Sequence, residues 1–273
     1  MDKTFNQRLE SLSISNKSKL CIGLDIDPGK MPAHMDKSIL GIESYLKEVI
    51  DSTTDICVAY KLNMAFYEQF GFKGYELMEK IVEYIDGKNI TIADGKRGDI
   101  GNTTKKYAIS IFDTIGFDSI TVSPYMGEDS VRPFTERKDK WTVLLALTSN
   151  PGADDFEFHG NPPLFERVLT RSSQWGSTDN LMFVVGATRP ELISRIRELV
   201  PESFLLVPGV GAQGGSLSEV AKVGLNSKCG LLVNSSRGIL YASKNPSSCE
   251  EAVAASRREA DKLALEMSKT LHL

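Results

Sequence analysis

Apolar and polar positions along the chain follow two different periods. Short runs rich in Val, Ile and Leu occupy 19–24, 56–60, 90–93, 119–122, 142–147, 181–185, 204–207 and 230–233. Runs of this length and composition predict eight buried strands. Between them lie segments whose apolar residues recur every three or four positions, the period of an amphipathic helix. These are 37–51, a stretch carrying Tyr75, Met78, Ile81, Val82 and Ile85, then 103–115, 128–137 and 163–175. A stretch after Pro190 carrying Leu192, Ile193, Ile196 and Leu199 follows, and a long C-terminal helix starts at about 247. Ahead of the first strand, Phe5, Leu9 and Leu12 predict a short helix over 4–15 that plugs one end of the fold. No Pro-, Gly- or Ser-rich stretch marks a linker. The pattern therefore predicts the α/β class, a single (β/α)8 TIM barrel with an extra N-terminal helix, with 1–273 as one domain. An open doubly wound sheet would show the same alternation, because strand–helix order alone does not prove closure.

The predicted strands stay apolar until their last residues, where charge and glycine gather. The first ends in Asp25-Ile26-Asp27-Pro28, the second leads into Lys61-Leu62-Asn63, and the third into Asp94-Gly95-Lys96-Arg97-Gly98-Asp99. Gly95 and Gly98 predict that this third strand stops at Ala93 and turns. Period-2 geometry points Asp94 and Lys96 to the same side. With Asp99 they read as an alternating charge network around a reacting centre, a surface salt-bridge cluster being the plainer alternative. The fifth strand ends in Thr148-Ser149-Asn150-Pro151-Gly152 and opens a polar loop long enough to act as a lid. The seventh ends in Pro208-Gly209-Val210-Gly211-Ala212-Gln213-Gly214-Gly215, the eighth in Asn234-Ser235-Ser236-Arg237-Gly238.

In a closed barrel all strand C-termini face one mouth, so Asp25, Lys61, Asp94, Lys96, Ser149, Gln213 and Arg237 converge on one pocket. Backbone amides of the glycine-rich turns, the Gln213 amide and the Arg237 guanidinium form a phosphate grip after strands seven and eight. The lysine–aspartate array across the mouth suits proton or carbanion chemistry on a small phosphorylated substrate.

Composition narrows the partners. The 273 residues are 41% hydrophobic and 25% charged, which argues against a disordered or fibrous chain. With a net charge of −4 and no basic stripe, nucleic acid is not an expected partner. Cys21, Cys57, Cys229 and Cys249 lack C-x-x-C spacing and read as reduced thiols. Residues 1–8 lack the apolar core of a signal peptide, and no run approaches the ~18 apolar residues of a membrane span. The expected location is cytoplasmic, with no membrane contact. His34, His159 and His272 have no ligand partners at useful spacing. Asp25 and Asp27 could hold a divalent ion, yet Lys61 and Lys96 supply compensating charge without one, so no metal is expected.

The segment Asp94-Gly-Lys96-Arg-Gly-Asp99-Ile100, followed by Thr103, matches the D-x-K-x-x-D-I signature of the orotidine 5′-phosphate decarboxylase family. Leu24-Asp25-x-Asp27-Pro28, Lys61, Ser149-Asn-Pro-Gly-Ala153, Pro208–Gly215 and Ser236-Arg237-Gly238 extend the resemblance along essentially the whole chain, closest to the longer bacterial-type subgroup. The resemblance implies loss of the 6-carboxylate of orotidine 5′-monophosphate as CO2, giving uridine 5′-monophosphate with no metal or organic cofactor. It further implies that Lys96 stabilises and protonates the C6 carbanion, that Asp94 sits beside the departing carboxylate, and that Lys61 holds the array. Asp25 and Asp99 would bind ribose hydroxyls, Ser149 the pyrimidine edge, and Gln213 with Arg237 the phosphate. Pro208, Gly209, Ser236 and Gly238 complete the implied substrate-binding set. Family members are homodimers, in which Asp99 and Thr103 would reach the neighbouring subunit's site. Arg97 reads as a structural ion-pair residue. A Mg2+-dependent hexulose-phosphate synthase of the same superfamily is the nearest rival, and a phosphate-binding barrel without activity is a second.

Overall fold

The computed structural model describes residues 5–186, 190–209 and 216–271. Eight parallel strands run β1 (Leu20–Gly23), β2 (Ala59–Asn63), β3 (Ile90–Arg97), β4 (Ser119–Val122), β5 (Trp141–Leu147), β6 (Leu181–Val185), β7 (Leu205–Pro208) and β8 (Leu231–Ser235). They pair in sequence order and close, β8 returning to β1 with Leu20 opposite Val233 and Ile22 opposite Ser235. That closure decides against the open doubly wound sheet.

Strand alternation divides the core into two layers. Inward-facing Cys21, Ala59, Ile92, Val143, Met182, Leu206 and Leu232 form a cluster inside the barrel. Their neighbours Ile22, Tyr60, Ile120, Phe183, Val207 and Val233 face outward under the helices. Charged side chains would be stranded in either layer, and the polar residues these strands bury before their ends are small hydroxyls, Thr91, Ser119, Thr121 and Thr142.

The N-terminal helix Phe5–Asn16 closes the end of the barrel away from the strand C-termini. Phe5 and Leu9 join the interior cluster, and Phe5 stacks on Trp141 at 4.1 Å between ring centroids. Asn6 donates to Asp179 Oδ1 at 2.6 Å, and Arg8 pairs with Asp118 at 2.5 Å. The expected plug is thus both apolar and polar in its attachment.

Three boundaries depart from the sequence reading. The second strand is Ala59–Asn63, about three residues later than the apolar run, because the N–H groups of Ile56 and Cys57 both bond the Thr53 carbonyl and finish the preceding helix, Ile39–Thr53. The third strand does not turn at Gly95 and continues to Arg97 with a shift in register, Ala93 facing Ile120 and Arg97 facing Val122. The predicted helix 103–115 begins earlier, as Gly101–Ala108, and passes into a π-helical turn, Ile109–Thr114. The loop after β5 is also less open than expected: it contains a short helix, Ala153–Phe156, before the longer helix Leu164–Ser172.

Candidate active site

A cavity of about 430 Å³ opens at the C-terminal ends of the strands. Its size suits a small organic ligand. Asp25, Lys61, Asp94, Lys96, Ser149, Pro208, Gly209, Ser236 and Arg237 all line it, bringing together residues spread over most of the chain.

One wall is a charge array carried by β1–β3. Lys61, 5% exposed, extends inward from β2 because its neighbours Tyr60 and Leu62 face the outer layer. Its Nζ lies 3.0 Å from Asp94 Oδ2 and 3.6 Å from Asp25 Oδ1. Asp25 Oδ1 also accepts the Asn63 N–H at 3.0 Å. Burial pulls the Lys61 ammonium toward neutrality, but Asp25 and Asp94 outweigh it and hold its pKa above the ordinary lysine value. Burial likewise opposes ionisation of Asp94, and Lys61 with Lys96 more than reverses it, holding this carboxyl well below the usual range. Lys96 Nζ sits 2.6 Å from Asp94 Oδ1, with the Lys96 side chain about half exposed at the cavity. Two ammonium groups thus flank one carboxylate, and the one at the opening can meet a ligand.

Two residues absent from the sequence-derived set join the site. Thr121 of β4 donates its hydroxyl to Asp94 Oδ1 at 2.9 Å and accepts the Lys96 backbone N–H at 2.9 Å. Asn234 of β8 lines the cavity with a buried Oδ1 that has no hydrogen-bond partner among the described residues, while its amide donates to Ser236 Oγ at 3.3 Å. Both fall on the inward phase of their strands, and that period-2 position is the only sequence signal that could have found them.

The opposite wall is built by loops. Ser149 packs so tightly on Gly186 that a Cβ added there would lie 3.0 Å from both the Ser149 Cβ and its backbone nitrogen. Preceding it, Thr148 is clamped by Glu157, which accepts the Thr148 N–H at 2.7 Å and its hydroxyl at 2.7 Å. Glu157 belongs to the polar loop that the sequence marks as a lid. Arg237 opens the short helix Arg237–Leu240 and is exposed, with no carboxylate partner among the described residues. Next to it, Ser236 fills the space that Gly23 leaves empty, where an added Cβ would lie 1.8 Å from Ser236 Oγ.

Three of the predicted residues that are described are not brought to the cavity wall. Gln213 lies outside the described residues. Gly238 sits one residue beyond Arg237 and does not line the cavity. Asp99 and Thr103 stand off it as well, Asp99 Oδ1 accepting the Ile100 N–H at 2.7 Å and Thr103 lying exposed on the helix Gly101–Ala108. Asp27 accepts the Gly29 N–H and lies near Lys30. Arg97 pairs with Glu68 and lies over the Tyr107 ring, the structural role its position suggested.

This arrangement has close counterparts among known proteins. A family model described as "Orotidine 5′-phosphate decarboxylase / HUMPS family" matches residues 18–252. A protein of Christiangramia forsetii named orotidine 5′-phosphate decarboxylase is 48% identical over 269 residues, covering 97% of this chain and 99% of that protein. The Flavobacterium johnsoniae protein of the same name is 49% identical over 270 residues, covering 97% of each. Among solved structures, the OMP decarboxylase of Leishmania donovani superposes with a TM-score of 0.85 at 32% identity, over 99% of this chain and 100% of that one. Barrel, array and near-full-length identity coincide, and the chain belongs to the orotidine 5′-phosphate decarboxylase / HUMPS family.

Proposed function

We propose that this protein decarboxylates orotidine 5′-monophosphate to uridine 5′-monophosphate and CO2, the last step of de novo UMP synthesis, without a metal or organic cofactor. The observation that carries the reading is the Lys61–Asp94–Lys96 array, buried at Lys61 and open at Lys96, which shares one cavity with an Arg237 that has no carboxylate partner among the described residues. The phosphate binds at Arg237 and the turns at Pro208, Gly209 and Ser236, with Gln213 contributing from the loop after β7. Ser149 holds the pyrimidine edge, and Asp25 a ribose hydroxyl.

The substrate carboxylate then lies beside Asp94, an anion that Lys61 keeps ionised. Repulsion between the two carboxylates is relieved as the C6–carboxylate bond breaks and neutral CO2 leaves. The electron pair remaining on C6 faces the Lys96 ammonium, which stabilises it and transfers a proton to form C6–H; solvent returns the proton to Lys96. Binding energy from the remote phosphate offsets the unfavourable ground-state contact.

The working unit is a homodimer in which Asp99 and Thr103 act in the neighbouring site. In support, both stand off their own cavity, beside exposed Ile100, while Tyr125 and Met126 after β4 are also exposed. The four free thiols suit a reducing compartment, and we place the protein in the cytoplasm. Among the described residues no helix is long and apolar enough to cross a membrane.

Ultraviolet-monitored turnover of orotidine 5′-monophosphate, with and without EDTA, tests the reading. Conversion insensitive to the chelator is the expected result. No turnover by folded protein, or turnover of sugar phosphates only with added Mg2+, would overturn it in favour of the hexulose-phosphate synthase branch.

A further inference from the structure

The third strand carries Asp94 and Lys96 through a defect in the sheet. Between the pairs Ala93–Ile120 and Arg97–Val122, the β3 residues Asp94, Gly95 and Lys96 stand opposite Thr121 alone. Two surplus residues must be absorbed there. Lys96 does so with φ at +47°, a left-handed conformation that disfavours any side chain with a Cβ. Gly95 contributes by close packing, since a Cβ there would lie 2.6 Å from Met64 Sδ. A left-handed non-glycine residue persists only where its surroundings hold it.

Thr121 is what faces this bulge. Its side chain is almost fully buried, 1% exposed, so its hydroxyl has no bulk water to turn to. The Lys96 N–H, displaced from the β4 ladder, donates to Thr121 Oγ1 at 2.9 Å instead. The hydroxyl hydrogen is then directed to Asp94 Oδ1 at 2.9 Å, the same oxygen that Lys96 Nζ approaches at 2.6 Å. Backbone and side chain of Lys96 are thereby tied to one carboxylate through one hydroxyl. The ladder resumes immediately beyond, where the Ser123 N–H donates to the Arg97 carbonyl at 2.8 Å.

We propose that Thr121 is a positioning residue for the reaction: its hydroxyl stands in for the missing ladder bond, holds Lys96 in its left-handed conformation and fixes the Asp94–Lys96 pair in reacting register. The role rests on the decarboxylase reading of that pair. A hydroxyl is required, because only a group that both accepts and donates can satisfy the Lys96 N–H and the Asp94 oxygen together. Valine has the same shape and can do neither.

The test is steady-state turnover of orotidine 5′-monophosphate by the full chain, Thr121→Val and Thr121→Ser, with uridine 5′-monophosphate binding and thermal unfolding measured alongside. Misplacing a reacting group by an ångström costs about 100-fold, so Thr121→Val should lower kcat about 10- to 100-fold. KM and product affinity should stay within about threefold, since phosphate and base contacts lie on the other wall, and Thr121→Ser should recover kcat to within about threefold of the parent. A merely structural threonine would move the unfolding temperature and leave the kcat-to-KM split and the serine rescue unseen. Should Thr121→Val fail to fold, Thr121→Ala against Thr121→Ser makes the same comparison. Parent-like kcat in Thr121→Val, or equal impairment of the valine and serine variants, overturns the role. No turnover by the parent would instead overturn the decarboxylase reading, and this role with it.

Discussion

Across the barrel mouth, β1–β4 present charge from the strands and their last residues, whereas β5–β8 present polar groups largely from the loops beyond them. On the first side, Lys61 and Asp94 are held within hydrogen-bonding distance inside the sheet, and Thr121 and the Asn63 N–H bond their carboxylate partners. On the second, Ser149 depends on a loop clamped by Glu157, and Arg237 extends from a four-residue helix. The contrast matches what the proposed reaction asks of each side. Stabilising charge that appears only in a transition state requires groups already in place, because reorganisation at that moment would consume the benefit. Grasping and releasing a phosphorylated ligand requires groups that can move, and loops supply that.

The sharpest way to break the comparison is to remove the ammonium proposed to react, that of Lys96. Lys96→Ala should lower kcat by at least about 10⁴-fold with the fold intact by circular dichroism, since both the carbanion's counter-charge and its proton source are lost. A near-parent rate would remove Lys96 as the acid.

Lys61→Met should instead strike stability. It leaves Asp25 and Asp94 facing each other without their shared cation, a loss of about 3–5 kcal/mol in urea unfolding at pH 7. The pH dependence has a defined sign. Lys61 is raised in the fold, so its contribution is full below the ordinary lysine value of about 10.4 and fades as pH rises through the raised value. Asp94 is lowered, so its contribution is present above about 3.9 and fades as pH falls through the lowered value. The stability gap between parent and Lys61→Met should therefore be widest across neutral pH and narrow at both extremes; a gap independent of pH would contradict the ion-pair account.

On the loop side, Arg237→Ala should lower kcat/KM for the phosphorylated substrate by about 10²- to 10³-fold and leave a phosphate-free substrate almost unaffected. Equal losses for both would make Arg237 structural. The smallest effect belongs to the clamp: Glu157→Ala should raise KM about three- to tenfold with less change in kcat, the size expected from freeing one loop anchor. If kcat fell more than KM rose, the loop side would be taking part in the chemical step, and the division between the two halves would fail.

The barrel itself was legible because each strand is a short apolar run and each polar strand end is an exception that a buried sheet does not tolerate without purpose. Lys61, Asp94 and Lys96 stood out for that reason. The extent of β3 was not legible, since Gly95 carries the local signature of a turn and only pairing with β4 keeps the chain extended through it. Thr121 and Asn234 look like ordinary inward-facing strand residues, and nothing local separates Thr121, bonded to the array, from Ser119, whose buried hydroxyl has no partner among the described residues. Glu157 was hidden for a different reason: its partner Thr148 is nine positions away across an irregular loop, and no period relates them.

What the chain determined by itself was periodicity and residue type: eight strands and their helices, charged ends to those strands, and a signature segment whose order of carboxylates and amines is characteristic of one family. Those are local properties, set by backbone geometry and by the cost of burying polar groups. Tertiary structure alone decided that the sheet closes, that Asp25, Lys61 and Asp94 meet within 3.6 Å, and that Lys96 adopts a left-handed backbone beneath Thr121. These depend on strand register and on side chains brought together from distant positions, and electrostatic coupling falls with a distance that no linear spacing encodes.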